Sequence, residues 1–183
     1  MSLILNIDTA SEKAHVSFAK DGMVLDSISS GSQKEHASFL QSAIQQLTKI
    51  TGIVLKDINA VAVTAGPGSY TGLRVGMASA KGLSYALKKP LITISSLEVL
   101  TASALQLFPG TDKTILLCPM LDARRMEVFT AVYLNDLLKN GVRFRHEDIS
   151  VIYIFHILLG LFYCLFVCPY DYLLIHGPIE NRT

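Results

Sequence analysis

The chain has 183 residues, of which 50% are apolar, and a formal net charge of +1 at pH 7. This length can bury a real core and suits one domain or two small lobes. Because the charge is nearly balanced, the chain has no basic field that would hold RNA by electrostatics alone. Its three cysteines do not suggest a set of paired disulfide bonds, and no signal peptide precedes Ile4. We therefore expect the protein in a reducing cytoplasm.

The first thirty residues predict three antiparallel strands. Residues 3–7 are a near-continuous apolar run, as in an interior strand, and they deliver Asp8 at the strand end, where acidic residues often face a site. Residues 15–19 and 23–28 flank an Asp-Gly dipeptide, which is a strong hairpin signal.

A helix is predicted from about residue 35 to residue 51, with Gly52 as its stop. Its apolar residues recur at three- and four-residue spacing: Phe39, Leu40, Ala43, Ile44, Leu47 and Ile50. The opposite face carries mainly Gln and Ser, and it lacks the ion pairs typical of a fully solvated helix, which favours contact with another surface. His36, at the helix start, is expected to be a surface or capping residue.

Residues 61–87 read VAVTAGPGSYTGLRVGMASAKGLSYAL, which predicts a strand, a glycine turn and a helix. Ser69 or Thr71 can cap this helix, and its N-terminus suits an anion. The turn is not a P-loop, because Gly72 is followed by Leu and Arg rather than by Lys and Ser or Thr. Its glycine spacing also misses the dinucleotide fingerprint by one residue.

This helix carries two ridges of small residues at i, i+4 spacing. The first is Gly72, Gly76 and Ala80; the second is Ala78, Gly82 and Ala86. Each interior glycine costs roughly 1 kcal/mol in helix propensity, so tight contacts should recover that free energy. We therefore expect one ridge to pack on the chain's own sheet and the other on a partner helix; the alternative is that both pack inside one domain.

Farther along the chain, residues 91–94 predict a strand, and Ser95-Ser96-Leu97-Glu98 forms a capping box that starts another helix. Phe108-Pro109-Gly110 breaks the chain. Two strands are then expected at residues 115–117 and 126–133, joined through residues 122–125 at a solvated hairpin tip that carries Arg124 and Arg125.

The last segment differs from the rest in composition. Residues 149–170 contain no Asp, Glu, Lys or Arg, and they dominate the mean hydropathy of +0.40. About 20 apolar residues can span a membrane, and the cations on the N-terminal side fit a cytoplasmic flank. Two alternatives remain open: the product of a shifted reading frame, and a divergent buried strand or helix that replaces a second-lobe core.

Two stretches resemble one family. The sequences AGPGSYTGLRVG, at residues 65–76, and CPMLDARRMEVFTAVY, at residues 118–133, resemble the TsaB (YeaZ) family of the bacterial tRNA threonylcarbamoyladenosine (t6A) machinery. The resemblance runs from about residue 3 to residue 133. It implies an α/β fold of the actin-like ATPase (ribonuclease H-like) class, with a mixed sheet and flanking helices and a truncated or divergent second lobe.

The resemblance also implies a domain organisation. Residues 1–110 would form the first lobe, residues 111–136 the hairpin that begins the second, and residues 137–183 an atypical hydrophobic segment.

The function that the resemblance implies is structural support. The chain would bind TsaD, and TsaE through TsaD, so that TsaD transfers a threonylcarbamoyl group to N6 of adenosine 37 in tRNA. The two helices would pair with their equivalents on TsaD or, as a homodimer, on a second copy. The interface residues would be His36, Phe39, Leu40, Ala43, Ile44, Leu47, Gly72, Leu73, Val75, Gly76, Met77 and Ala80.

The resemblance further implies that this chain contacts tRNA only indirectly, catalyses nothing and needs no cofactor, with ATP bound at the partner subunits. Catalytic relatives carry a His-x-x-x-His metal pair after the strand equivalent to residues 91–94, where this chain has Ser95 to Val99. These residues supply no imidazole for a transition metal, so we expect no metal site.

Nucleotide binding by this chain is a second hypothesis. Asp8-Thr9-Ala10-Ser11 resembles the superfamily's phosphate-binding segment, but Ala10 stands where that segment has glycine. The site would comprise Asp8, Thr9, Ser11, Gly66, Gly68, Ser69 and Thr71. Its presence would make the chain an ATP-binding enzyme of the actin-like or sugar kinase fold. A third reading, peptidase activity, needs a metal or nucleophile that the sequence does not display.

Overall fold

The computed structural model describes residues 1–30, 36–107, 116–125, 127–131, 133–134, 150–153 and 172–177. The chain divides into two compact units, Met1–Ser96 and Leu97–Thr183.

The first unit is built on a five-stranded mixed sheet. Its strands are β1 (Leu3–Asp8), β2 (His15–Lys20), β3 (Met23–Ser29), β4 (Ala60–Gly66) and β5 (Leu91–Ser95), in the order β3-β2-β1-β4-β5. The three opening strands are antiparallel, as predicted, whereas β4 and β5 run parallel to β1. Asp21 and Gly22 have φ values of 50° and 84°, as a tight hairpin turn requires.

Two helices of the first unit, α1 (His36–Thr51) and α2 (Tyr70–Leu87), pack against one face of this sheet. Their bounds lie close to the predicted ones. A short 3-10 helix, Leu55–Asp57, precedes β4. The core between helices and sheet comprises Leu5, Ile7, Val16, Phe18, Leu40, Ala43, Ile44, Leu47, Ile58, Val61, Val63 and Ala80. The chain leaves α2 through Lys88, in the left-handed conformation, whose N–H contacts the carbonyl of Tyr85 at 3.3 Å.

The second unit contains a second sheet. Helix α3 (Ser96–Leu107) begins at the last residue of the first unit. The strands are β6 (Leu116–Arg124), β7 (Glu127–Thr130), β8 (Tyr133–Leu134), β9 (Ser150–Tyr153) and β10 (Tyr172–Gly177). Their order is β10-β6-β7-β9, and β8 also pairs with β6. The buried cluster of this unit comprises Leu97, Leu117, Ala131 and Tyr133.

The predicted hairpin is present, but β6 continues to Arg124 rather than ending at residue 117, so the connection is shorter than predicted. The carboxylate of Asp122 accepts the N–H of Arg124 at 2.7 Å, and the pairing with β7 shifts register at this point, so the strand continues past the irregularity. The tip itself is Arg124 and Arg125, with φ values of 66° and 55°.

The predicted break at residues 108–110, and with it the lobe boundary at residue 110, lies outside the described residues and stays a prediction. Of the charge-free segment 149–170, the structure describes residues 150–153, which form β9. In the described ranges, no helix combines the length and apolar character needed to cross a membrane.

Candidate functional site

The glycine turn joins β4 to α2 as predicted. Gly66 and Gly68 have φ values of 107° and 153°, which side chains rarely adopt. The hydroxyl of Ser69 accepts the N–H of Gly72 at 3.3 Å, which confirms Ser69 as the helix cap. The sequence Gly-Pro-Gly-Ser thus ends a strand and starts a helix within four residues.

A loop after β1 lies against this turn. One carboxylate oxygen of Asp8 accepts the N–H of Ala10 at 3.0 Å and the hydroxyl of Thr64 at 2.7 Å. The hydroxyl of Ser11 donates to the carbonyl of Lys13 at 2.9 Å. These hydrogen bonds fix the loop to β4 and close it on itself.

The loop and the glycine turn bind each other directly. The N–H of Ser69 donates to the carbonyl oxygen of Ala10 at 2.7 Å, and a Cβ on Gly68 would collide with that same oxygen. A phosphate at this helix start would need such N–H donors. The chain's own carbonyl occupies the Ser69 donor, and the Ala10 methyl packs on the turn, so this N–H is not open to a phosphate. The nucleotide hypothesis stays a prediction.

Behind the turn, the first ridge of α2 packs inward. Gly72, Gly76 and Ala80 are all buried. A Cβ on Gly76 would overlap the hydroxyl oxygen of Thr9, which is fully buried and has no hydrogen-bond partner among the described residues. The first ridge therefore packs on the chain's own sheet and loop, which confirms that half of the ridge hypothesis.

The second ridge faces outward. Ala78, Gly82 and Ala86 are all exposed, and a Cβ on Gly82 would meet no atom within 4 Å. Tyr70 and Tyr85 are also exposed, at 68% and 89%. The guanidinium of Arg74 stacks over the ring of Tyr70, 4.0 Å from its centroid. We call the exposed residues Tyr70, Arg74, Ala78, Lys81, Gly82, Tyr85 and Ala86 the outer face of α2.

Helix α1 exposes a mostly uncharged surface beside α2. The exposed residues Gln41, Ser42, Gln45 and Gln46 carry no charge, and Ile50 is 57% exposed. Lys49 is the one charged residue in the α1 sequence if His36 is neutral, and α2 adds Arg74 and Lys81. Neither helix contains Asp or Glu, so their exposed surface has a weak, uniformly positive charge.

The predicted interface residues mostly face the sheet. Seven of them are buried within the unit: Leu40, Ala43, Ile44, Leu47, Gly72, Gly76 and Ala80. Phe39, Leu73, Val75 and Met77 are partly buried, and His36 is described only as the first residue of α1. The structure brings these residues together as a core rather than as a surface. The sequence signal for the exposed side was the second small ridge.

No three His, Cys, Asp or Glu side chains in the described parts of the chain come close enough to hold a metal ion. Where the resemblance led us to look for a histidine pair, Ser96 starts α3, and its buried hydroxyl has no partner in those same parts. The expectation that the chain needs no metal stays a prediction.

The fold is shared with solved structures. A crystal structure described as an uncharacterized protein with similarity to peptidase YeaZ, from Pseudomonas aeruginosa, matches with a TM-score of 0.72 and 28% identity, over 83% of this chain and 67% of that one. YeaZ from the same organism matches with a TM-score of 0.71 and 28% identity, over 84% and 68%. The molecule is an α/β protein of the actin-like, ribonuclease H-like class.

Sequence comparisons show to which family within this fold class the chain belongs. A family model described as TsaD, tRNA N6-adenosine threonylcarbamoyltransferase, matches residues 24–143. The t6A biosynthesis protein TsaB of Bacillus subtilis is 33% identical over 76% of this chain and 57% of its own length. TsaB of Escherichia coli K12 is 34% identical over 81% and 62%. The chain belongs to the TsaD family, and it is similar to the TsaB proteins of that family, of whose length it spans about three fifths.

Proposed function

We propose that the chain is a non-catalytic subunit that binds TsaD through the outer face of α2 and the adjoining exposed surface of α1. TsaD would then transfer the threonylcarbamoyl group to N6 of adenosine 37 in tRNA. The curated relatives named TsaB and the TsaD family model support a place in t6A biosynthesis.

The observation that carries the proposal is Gly82. A glycine inside a helix costs about 1 kcal/mol relative to alanine, and no neighbour within the unit crowds this position. The close approach of a partner helix would explain a glycine there, because only small residues let two helix backbones come near each other. The exposed Tyr70 and Tyr85 add the aromatic area that protein interfaces favour.

Charge disfavours a second copy of this chain as the occupant. A homodimer through this surface would bring Lys49, Arg74 and Lys81 of one copy toward the same cations of the other, and no acidic residue of α1 or α2 would neutralise them. A different protein with a neutral or acidic helix pair avoids that repulsion. The homodimer is the competing outcome of the binding experiment below.

The remaining partners follow from the same assignment. TsaE would be reached through TsaD, ATP would bind at those subunits, and tRNA would touch this chain only indirectly, as a net charge of +1 favours. The expected location is the cytoplasm, where tRNA is modified. Turnover by the isolated chain, together with saturable ATP binding that is lost in Asp8→Ala, would instead support the enzyme hypothesis.

Light scattering on the full chain mixed with TsaD of the same organism tests the proposal. We expect a stable complex with the wild type and none with Gly82→Leu, which adds bulk to the outer face. Ser27→Leu is the matched control: Ser27 is exposed on β3 and pairs with Ser17, on the sheet face opposite the helices, so this variant should bind normally.

Two results would contradict the proposal. If Gly82→Leu binds TsaD as tightly as the wild type, the outer face is not the docking surface. If the wild type forms only a homodimer that Gly82→Leu dissolves, the second copy is the occupant.

A further inference from the structure

We infer that the contact between Thr9 and Gly76 sets the position of α2 over its sheet, and thereby the position of its outer face. Thr9 is then a positioning residue for the docking surface, although it is fully buried and cannot touch a partner. The inference rests on the proposed function, because that proposal makes the outer face the TsaD-binding surface.

The loop that carries Thr9 is a fixed reference point. Its neighbours on both sides are held: Asp8 accepts the hydroxyl of Thr64 from β4, and Ala10 accepts the N–H of Ser69 at the start of α2. Threonine is also branched at Cβ, so its side chain has few rotamers to choose from. The loop, the end of β4 and the first turn of α2 are therefore held together.

The contact itself acts through shape. The hydroxyl oxygen of Thr9 lies where a Cβ of Gly76 would be, and it has no hydrogen-bond partner in the described part of the chain. Any side chain at residue 76 would have to move α2 away by about 1 Å to reach a normal contact distance. Since no hydrogen bond is involved, the oxygen acts as a spacer, and a methyl group of valine would do the same.

A displacement at Gly76 should reach the outer face. The start of α2 is tied to the loop through Ser69, so a push in the middle of the helix tilts it rather than shifting it evenly. Gly82 follows Gly76 by about 9 Å along the axis, at 1.5 Å per residue, and lies about 120° around the helix from it. Close helix packing is sensitive to such a tilt, because a gap of 0.5–1 Å forfeits about a quarter to a half of the dispersion attraction.

The test is to measure by calorimetry the affinity of the full-length chain for TsaD of the same organism. We expect Gly76→Ala to weaken binding about tenfold and Thr9→Ala combined with Gly76→Ala to recover it to within about threefold. The rescue is expected because Thr9→Ala removes Oγ1 and Cγ2, and the Thr9 Cβ that remains is 3.4 Å from the new methyl, an ordinary contact. Thr9→Val combined with Gly76→Ala should stay weak, since valine keeps the shape.

Ile58→Val is the control that separates a displacement of α2 from a general loss of stability. Ile58 is fully buried ahead of β4, so the change should lower stability without touching the Thr9 contact, and binding should remain normal. A folded Gly76→Ala that binds as tightly as the wild type overturns the inference, and so does a double variant that stays as weak as Gly76→Ala. If the wild type itself does not bind TsaD, the proposed function fails, and the docking role of Thr9 fails with it.

Discussion

Two glycines of α2, six residues apart, have opposite surroundings. Gly76 is buried against Thr9 and has no room for a side chain, whereas Gly82 is exposed, and a Cβ added there would meet no atom within 4 Å. Both lower helix propensity by the same amount. The reason for Gly76 lies within the unit, and the reason for Gly82 has to be sought outside it. A small residue is therefore informative about a binding surface only after its own contacts are known.

The largest expected effect is a difference in stability between variants at Gly76 and variants at Gly82. Gly76→Leu should lower the free energy of unfolding by about 3 kcal/mol or more, because overpacking a closed core position displaces both helix and loop. Gly82→Leu, in open space, should change it by less than about 1 kcal/mol and can even raise it. Urea unfolding of the two variants measures the difference. Equal losses would mean that the two ridges do not differ in packing.

A smaller effect is expected from a change in the loop residue that contacts the first ridge. Thr9→Val removes a buried hydroxyl that has no partner in the described part of the chain and keeps the side-chain shape. Since an unsatisfied buried polar group costs about 1–3 kcal/mol, we expect a gain of about 1 kcal/mol. Thr101→Val is a matched control: the equally buried Thr101 donates to the carbonyl of Leu97, so its replacement should not stabilise. A loss at Thr9 would point to a bond that the hydroxyl does make.

On the second ridge of α2, Gly82→Ala should change stability and binding in opposite directions. We expect a stability gain of about 0.5–1 kcal/mol, because alanine reduces the entropy lost on helix formation and nothing crowds its methyl. Affinity for TsaD should fall at the same time. Thermal unfolding and calorimetry on one preparation measure both quantities. A gain in stability without any loss of affinity would place the partner elsewhere.

The smallest effect concerns a hairpin far from both ridges. The N–H of Ser2 donates to the carboxylate of Asp21 at 2.6 Å, and this hydrogen bond, with help from the N-terminal ammonium, lowers the pKa of Asp21 below its usual 3.8. A lowered pKa in the folded state contributes stability at neutral pH that is lost as pH falls below about 4.

Asp21→Asn should therefore lower stability slightly at neutral pH and hardly at all at low pH, where Asp21 is protonated, so the acid limb of the stability curve becomes flatter. Urea midpoints measured from pH 5 downward check this, with Asp57→Asn at another exposed acidic residue as the comparison. An unchanged acid limb in Asp21→Asn would show that the hydrogen bond adds nothing measurable.

The sequence predicted the first sheet and both helices because their signals are local. The Asp21-Gly22 dipeptide predicts its turn without reference to distant residues, and Ser69 caps α2 from the position just before the helix. The packing of the two small ridges is different, since glycine and alanine have nearly the same hydropathy in both. Gly76 of the first ridge contacts Thr9, which follows β1, and no periodicity within residues 70–87 reports that contact.

The same limitation applies to the predicted interface residues. The apolar stripe of α1 was assigned to a partner, yet Leu40 and Leu47 are fully buried in the unit's own core. The sequence also could not show that the carbonyl of Ala10, in the loop after Asp8, accepts the N–H of Ser69 from the glycine turn. In both cases the sequence shows the residue type, whereas the neighbouring residue comes from a distant part of the chain.

The strand order of the first unit also bears on how the molecule is made. In the order β3-β2-β1-β4-β5, the opening strands form two successive hairpins, β4 then joins the free edge of β1, and β5 joins β4. Each strand thus finds its place on an edge that earlier residues have already built. We expect this sheet to assemble from the N-terminus while the ribosome is still delivering the chain, without waiting for the second unit.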